Sequence, residues 1–292
     1  MGRLRLLALA AAALLVALPA FAQGTNGTIE GQVSDEQGLS LPGVAVTATN
    51  TATGFARSTT TDASGLFRLP GLPVGTYDVK ANIAGFANQA KKAGVNVSAT
   101  SSVNFKMTVA AQAEQITVTG DAPLIDVKDS GVGEIVTSVQ IENLPLNGRQ
   151  FGNLAALVPG VSLGFHTDPT KSTQFAPQVA GGGGRNINYL IDGGDNNDDT
   201  VGGLVQSFPL DSIGEFNFET QRFRADTGRA NGGTIKVVTK GGTNDFRGSA
   251  FELFRDKSLN GKSHTEEINN LPKGDYKKHQ YGASLGGPIV KD

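Results

Sequence analysis

Apolar and polar residues alternate with a period of two along several stretches of the first hundred residues. In the runs 77–83 and 102–109 every second side chain is apolar. Such alternation is typical of antiparallel strands that place one face on a core and the other in water. Turn sequences recur between the runs at short intervals: Asp35–Gly38, Leu41–Gly43, Asp62–Gly65 and Leu72–Gly75. The pattern predicts a small β-sandwich over residues 23–110.

The N-terminus has a different pattern. Arg3 and Arg5 precede an unbroken apolar run over 6–18, and small residues follow at positions 20 and 22. These features predict a secretory signal peptide over residues 1–22, cleaved after Ala22. A membrane anchor is the alternative, but the run is shorter than the roughly 20 apolar residues that a spanning helix needs.

Residues 121–240 mix helical and strand periodicities. A short helix is predicted, with Asn147 as its cap and one apolar face: Phe151, Leu154, Ala155 and Val158. Strand-like runs follow at 187–191, 213–218 and 234–239. We therefore predict an α+β domain here, within a chain that is mainly β.

The last segment, 241–292, contains two strand-like runs, 246–255 and 280–285, separated by a polar stretch. Apolar residues alternate with small or polar ones in the second run, as in a barrel strand that faces lipid on one side. The two runs predict the first hairpin of an outer-membrane β-barrel. Because large plugged barrels have about 22 strands, we expect this chain to be an N-terminal fragment that lacks most of the barrel.

Composition excludes several classes of function. The sequence has 39 glycines and no cysteine, so neither disulfides nor thiolate metal sites are available. The net charge is −2, and residues 111–240 hold an excess of acidic over basic side chains. Without a basic stripe to neutralise phosphates, a nucleic-acid partner is not expected.

The turn motifs of the sandwich are specific enough to suggest a family. The segments concerned resemble the carboxypeptidase-regulatory-like domain: 31–35, 41–44, 61–67 and 69–77. This resemblance implies a prealbumin-like sandwich, which is often grouped with carbohydrate-binding-like folds. Sugar binding would rest on the fold alone. We interpret Pro42, Gly43, Gly65, Pro73 and Gly75 as turn formers and assign no binding residue to this domain.

The following region resembles the plug of TonB-dependent outer-membrane receptors. The resemblance is carried in order by four segments: 184–186, 189–193, 213–216 and 228–240. Where many siderophore receptors have Arg-Gly-Pro, this chain has 220–226, and together with 144–149 and 242–248 that variant resembles the Oar-like subgroup. The departure puts siderophore specificity in doubt.

A β-prone run in the linker 111–120 resembles a TonB box. Its residues would contact TonB by adding a strand to a sheet edge of the partner: Glu114, Gln115, Ile116, Thr117, Val118 and Thr119. The same run is equally compatible with the first plug strand or a plain linker. The resemblance implies TonB, with ExbB and ExbD, as partners.

Within the plug, arginine is suited to contacts with a barrel wall because its planar fork makes several hydrogen bonds at once. We predict plug-to-wall or intra-plug contacts for five side chains: Arg185, Asp192, Glu215, Arg222 and Arg224. Ordinary solvated charges are the alternative for this set.

Three short motifs resemble catalytic, metal-binding or nucleotide-binding sites but lack residues that such sites need. The segment 264–267 fits His-x-x-Glu, but a catalytic zinc site needs three protein ligands on a rigid scaffold. The acidic run 192–199 lacks the glycine and glutamate spacing of a calcium loop. The glycines at 181–184 are not followed by the lysine of a phosphate loop. We predict no enzyme, no catalytic residue, no metal and no cofactor.

Two functions remain. The first is TonB-dependent transport across the outer membrane, with the plug gating the barrel and with the plug and sandwich facing the periplasm. The second is a periplasmic or surface binding module, in which the sandwich holds a carbohydrate, peptide or protein. The residues do not name the transported ligand.

Overall fold

The computed structural model of the chain describes residues 25–109, 132–144, 146, 149–164, 176–179, 181–200, 202–223 and 227–289. Four predictions fall outside these ranges: the signal peptide over 1–22, the TonB-box-like segment over 114–119, the Asn147 cap and the Arg224 contact. Within the described ranges, no helix is both long enough and apolar enough to cross a bilayer.

The first part of the chain is a sandwich of two sheets. One sheet has the order β4-β1-β7, with β8 also pairing with β1, and the other has the order β3-β2-β5-β6. The strands are β1 (Asn26–Asp35), β2 (Ala45–Asn50), β3 (Ala56–Thr60), β4 (Leu66–Pro73), β5 (Gly75–Asn82), β6 (Gln89–Val95), β7 (Thr100–Ser102) and β8 (Phe105–Met107). The predicted sandwich is confirmed.

The sandwich core consists of the alternating apolar side chains that the sequence pattern identified. Tyr77, Val79 and Ala81 of β5 are fully buried. The predicted single strand over 102–109 is instead divided into β7 and β8. Both pair in parallel with β1, and between them the amide of Val103 donates to the Glu30 carbonyl. The break leaves the period of two intact, so Phe105 still points into the core.

The second part is an α+β unit around a five-stranded sheet of order β13-β12-β15-β14-β9. Strands β12 and β15 are parallel, and the other pairs are antiparallel. Its strands are β9 (Val132–Thr137), β12 (Ile187–Ile191), β13 (Gly194–Asp195), β14 (Ile213–Gln221) and β15 (Gly233–Thr239). All three strands predicted in this region are therefore present.

Shorter elements cover one face of that sheet and connect its strands. They are the helix α1 (Ser138–Asn143), the paired strands β10 (Val161–Gly164) and β11 (Ala176–Val179), and the 3₁₀ turns Phe151–Leu157, Gly184–Asn186 and Leu210–Ser212. The predicted helix is the 3₁₀ turn Phe151–Leu157, which starts after Gln150 and has no side-chain cap. Its apolar face is buried as predicted, since Phe151 and Leu154 are fully buried in the core.

The third part is a long hairpin of β16 (Arg247–Asp256) and β17 (Lys277–Gly286), which pair over ten residues from Arg247 opposite Gly286 to Asp256 opposite Lys277. The connection holds the 3₁₀ turn Lys257–Leu259 and the helix α2 (His264–Ile268). One face carries Tyr281 and Leu285, which are 80% and 83% exposed. Together the three parts confirm the predicted fold class.

Candidate functional site

The sheet β13-β12-β15-β14-β9 lies in the region predicted as a plug, so we use the names plug and plug sheet for this α+β unit and its sheet. The plug sheet has two chemically different faces. Alternate residues of β14 enter the apolar core, as Phe216 and Phe218 do. The intervening residues are polar and yet buried, and the register places polar residues of the neighbouring strands beside them. We call this surface the polar face, and it comprises Asn188, Glu215, Asn217, Glu219, Thr234 and Lys236.

An ion pair lies in the middle of the polar face. The Lys236 Nζ donates to Glu219 Oε1 at 2.8 Å, and both side chains are almost fully buried. The second carboxylate oxygen of Glu219 and the hydroxyl of Thr234 are buried without a hydrogen-bond partner among the described residues. Buried charges persist only when they are paired, and removal of one partner is costly. The pairing is therefore what allows both charges to remain buried in this face.

The covering element at one end of the polar face is the β6–β7 loop of the sandwich. The amide of Val97 donates to Glu215 Oε1 at 2.7 Å, and Asn217 Nδ2 donates to the Val97 carbonyl at 3.3 Å. Val97 is only 1% exposed. Burial raises the pKa of the Glu215 carboxyl to about 7, although the hydrogen bond from Val97 acts in the opposite direction.

Local backbone geometry presents Val97 to the plug. Ser98 adopts a left-handed conformation with φ of 58°, and its amide donates to the carbonyl of Asn26. The amide of Ala99 donates back to the carbonyl of Asn96. These bonds form a tight turn, so the Val97 peptide groups are left to bond with the plug.

A second contact joins the sandwich to the segment that follows the plug sheet. The amide and the side-chain amide of Asn244 donate to the carbonyls of Ala52 and Thr53, each at 3.0 Å. In the β2–β3 turn, Asn50 Oδ1 accepts from the amides of Ala52 and Thr53 at 2.9 and 3.1 Å. The Asn50 side chain thus holds the turn in shape, and the carbonyls of Ala52 and Thr53 point outward to accept from Asn244.

Between the sandwich and the plug lies a cleft of about 730 Å³. Its walls come from β1, β4 and the β6–β7 loop on the sandwich side and from β12 and β15 on the plug side. Arg68 lines the sandwich wall and Lys236 lines the plug wall, whereas no carboxylate is among the lining residues.

The plug also touches the hairpin. Arg149 has a left-handed backbone with φ of 51°, and its guanidinium bonds to both carboxylate oxygens of Asp211 at 2.8 Å. The same guanidinium lies 4.4 Å from the ring centroid of Phe251 on β16. The register puts Phe251 on the face opposite to Tyr281. The plug therefore packs on one face of the hairpin and leaves the other exposed.

The predicted contact residues are placed as follows. Glu215 is buried against the sandwich loop rather than near the hairpin. Asp192, with φ of 49°, accepts from the amide and hydroxyl of Thr239 at 2.9 and 2.7 Å. Arg185 is exposed and donates to the carbonyl of Thr200, and Arg222 is an exposed residue that directly follows β14.

Several residues that make contacts between the parts of the molecule were not identified from the sequence, among them Arg149, Val97, Asn217 and Asn244. Arg149 and Asn244 lie in segments that were noted for the subgroup resemblance, which was the available signal. The contact of Val97 is made by its backbone amide and carbonyl, so the identity of its side chain gives no indication of it.

The acidic loop after β12 forms ion pairs rather than a metal site. Arg229 donates to Asp195 at 2.7 Å and also bonds with Asp199. Across the part of the chain that the structure describes, no group of three or more histidine, aspartate or glutamate side chains could hold a metal ion. Asp195 and Asp199 are thus both paired with the guanidinium of Arg229.

Two family models match the chain. The carboxypeptidase regulatory-like domain matches residues 28–108, and an outer membrane beta barrel domain matches residues 238–292. The first match coincides with the sandwich, and the second begins at the end of β15 and includes the hairpin. They agree with the predicted domain types at both ends of the chain and confirm an outer-membrane location.

The TonB-dependent transporter Oar of Myxococcus xanthus is 29% identical over 97% of this chain. The chain spans 27% of the length of that relative. This similarity confirms the resemblance to TonB-dependent receptors of the Oar-like subgroup, and it agrees with the prediction that the chain is not an enzyme.

Solved structures give partial matches. The siderophore receptor PirA of Acinetobacter baumannii is 20% identical, with 55% of this chain and 23% of that chain covered and a TM-score of 0.41. Catechol 1,2-dioxygenase from Pseudomonas arvilla C-1 is 13% identical, with 33% of this chain and 56% of that chain covered and a TM-score of 0.29. Neither superposition says anything about function.

Proposed function

We propose that this chain, a relative of TonB-dependent outer-membrane transporters, is part of a receptor for energy-coupled uptake across the outer membrane. In this proposal, residues 121–240 form the plug that gates a barrel starting at 241, and the sandwich over 23–110 lies on the periplasmic side with the plug. The linker 111–120 carries the segment that contacts TonB, which is energised by ExbB and ExbD.

The observation that carries the proposal is the way the plug meets the hairpin. A barrel strand alternates between a face toward lipid and a face toward the lumen. Here Phe251 faces the plug residue Arg149, while Tyr281 on the opposite face is exposed. A hairpin oriented in this way would extend into a wall around the plug, with its apolar side chains outward.

The proposed coupling is strand addition. An extended segment binds a sheet edge through its main-chain hydrogen bonds, and alternate side chains set the register. Proline removes the amide donor of its residue and therefore interrupts such a ladder. The apolar positions Ile116 and Val118 are the side chains that would set the register.

The test is uptake by the receptor that contains this chain. Ile116→Pro or Val118→Pro should abolish energy-coupled uptake and leave ligand binding at the cell surface unchanged. Ala111→Pro, outside the β-prone run but in the same linker, is the matched control and should transport normally. Normal uptake by both Ile116→Pro and Val118→Pro would exclude the segment as the TonB contact.

The cleft between sandwich and plug favours a second candidate, a binding site for a small ligand. It has roughly the volume of a small-molecule site and lies at a domain boundary, where such sites are common. Arg68 lines one wall and no carboxylate is among the lining residues, which favours a ligand with an anionic group over a neutral sugar. Calorimetry of the chain with uronic acids, carboxylated peptides and neutral oligosaccharides separates these ligand classes. Arg68→Gln should weaken binding of the anionic ligands, and no heat with any of them would remove the candidate.

A further inference from the structure

We propose that the β6–β7 loop of the sandwich docks on this chain's own plug, that the β2–β3 turn docks on the segment that directly follows the plug, and that the docked sandwich locks the plug by holding it in place. This inference rests on the proposed transport function, because a lock has a role only if the plug moves during uptake. The plug would be held while the sandwich is docked and would be free to move once the sandwich has left. It assigns the sandwich an internal partner in place of an external carbohydrate or protein.

The first argument is the chemistry of the contacts. Every sandwich group at the two contacts is a backbone group, namely the peptide groups of Val97 and the carbonyls of Ala52 and Thr53. Their partners are Glu215 and Asn217 of the plug and Asn244 of the segment that follows it. Recognition of backbone groups depends on the shape of the backbone. Hydrogen bonds within the sandwich hold both turns in shape: those of Ser98 and Ala99 in the loop, and those of Asn50 in the turn.

The second argument is what the docked sandwich covers. Glu215 and Asn217 are 3% and 5% exposed, and both bond to the buried loop residue Val97. Lys236 lines the cleft that the sandwich closes on its other side. If the sandwich leaves, water reaches Glu215 and the ion pair of Lys236, and the polar face no longer needs a cover.

The third argument is that the contact joins two separate cores. Among the described residues, the apolar core of the sandwich and that of the plug are distinct clusters. The contacts named above are hydrogen bonds to backbone groups, so they can open without unfolding either part. A lock has to open reversibly, and a single fused core would not.

The absence of cysteine from the sequence permits a direct test. The backbone bond of 3.0 Å between Asn244 and Ala52 is compatible with the roughly 4.4–6.8 Å Cα separation that a disulfide spans. In the full chain carrying Ala52→Cys and Asn244→Cys, mild oxidation should produce an intramolecular disulfide in most molecules. A pair on the exposed hairpin loop, Ala52→Cys with Asn260→Cys, is the control and should not cross-link. Failure of the first pair to cross-link would overturn the docking.

The functional arm uses the receptor that contains this chain. Oxidation of the Ala52→Cys and Asn244→Cys variant should reduce uptake by at least tenfold, and a reductant should restore it, whereas oxidation should not change the uptake of either single-cysteine variant, since neither can cross-link within the chain. Normal uptake in the cross-linked state would overturn the lock, as would a loss that the reductant does not reverse.

The two proposals fail in different ways. If Ile116→Pro abolishes uptake while the cross-linked receptor still transports, only the lock is wrong. If Ile116→Pro and Val118→Pro both leave uptake intact, the coupling segment is wrong, whatever the cross-link does.

Discussion

The two faces of the plug sheet are built from the same strands but are stabilised in different ways. On one face Phe216 and Phe218 pack into an apolar core supplied by the plug itself. On the other face Glu215, Asn217 and Glu219 are just as buried, yet their partners are another charged side chain or the backbone of another domain. An apolar face needs only volume to be filled, whereas a polar face needs a specific partner at each position.

This difference suggests where the molecule can change state. Apolar packing is insensitive to which atoms approach and is lost only when the plug unfolds. The hydrogen bonds of the polar face can exchange protein partners for water, because polar groups are satisfied by either. We therefore expect the apolar face to govern the stability of the plug and the polar face to govern its contact with the sandwich.

The largest effect is expected on the apolar face. Phe216→Ala leaves a cavity in a fully buried site and should lower the free energy of unfolding of the plug by roughly 3–5 kcal/mol. Urea unfolding followed by far-ultraviolet circular dichroism measures it. Phe246→Ala, at a position that is 73% exposed, is the control and should change little. A loss below about 1 kcal/mol for Phe216→Ala would mean that this face is not the core.

The ion pair of the polar face should give the next largest effect. Lys236→Met leaves the Glu219 carboxylate buried without its partner and should cost about 3 kcal/mol of stability. The double variant Lys236→Met with Glu219→Met removes both charges and should recover most of that loss. If the single and double variants are equally unstable, the unpaired charge of Glu219 is not the cause of the loss.

The smallest effect is a pH dependence of the polar face. The folded-state pKa of Glu215, about 7, is above its ordinary value of 4.5. The contribution of this group to stability is thus fully present below pH 4.5 and is lost as the pH rises through 7, by on the order of 2–3 kcal/mol. Glu215→Gln keeps an oxygen acceptor for the Val97 amide and should flatten that part of the profile. On β9, Glu134→Gln provides the control, since Glu134 is exposed. A wild-type profile that is flat or rises between pH 5 and 8 would contradict the burial of Glu215.

Much of the fold was predictable because its signals are local. The period of two in β5, the apolar helical face that begins at Phe151 and the strand Ile187–Ile191 all follow from the spacing of side chains along the chain. The resemblance drawn from the turn motifs also identified the type of each part. The division between β7 and β8 was not predictable, since it depends on pairing with β1, which is distant in sequence.

The contacts between the parts could be predicted far less well. Glu215 was selected as a contact residue, but its partner Val97 is 118 positions earlier in the chain and contributes only a peptide group. The contact of Arg149 with Phe251 joins two segments about a hundred residues apart. Spacing within one segment carries no information about which surfaces of two domains meet.

The central claim is that the sandwich closes the polar face of the plug, and the amide of Val97 reports on it directly. An amide in a surface loop ordinarily exchanges its hydrogen rapidly, whereas a buried and hydrogen-bonded amide is protected. We predict that hydrogen exchange, followed residue by residue in the full chain, will show Val97 protected to the extent of the β14 amides. Glu215→Ala combined with Asn217→Ala should remove that protection at Val97 but not in the sandwich core at Val79. Rapid exchange of the Val97 amide in the unmodified chain would contradict the claim.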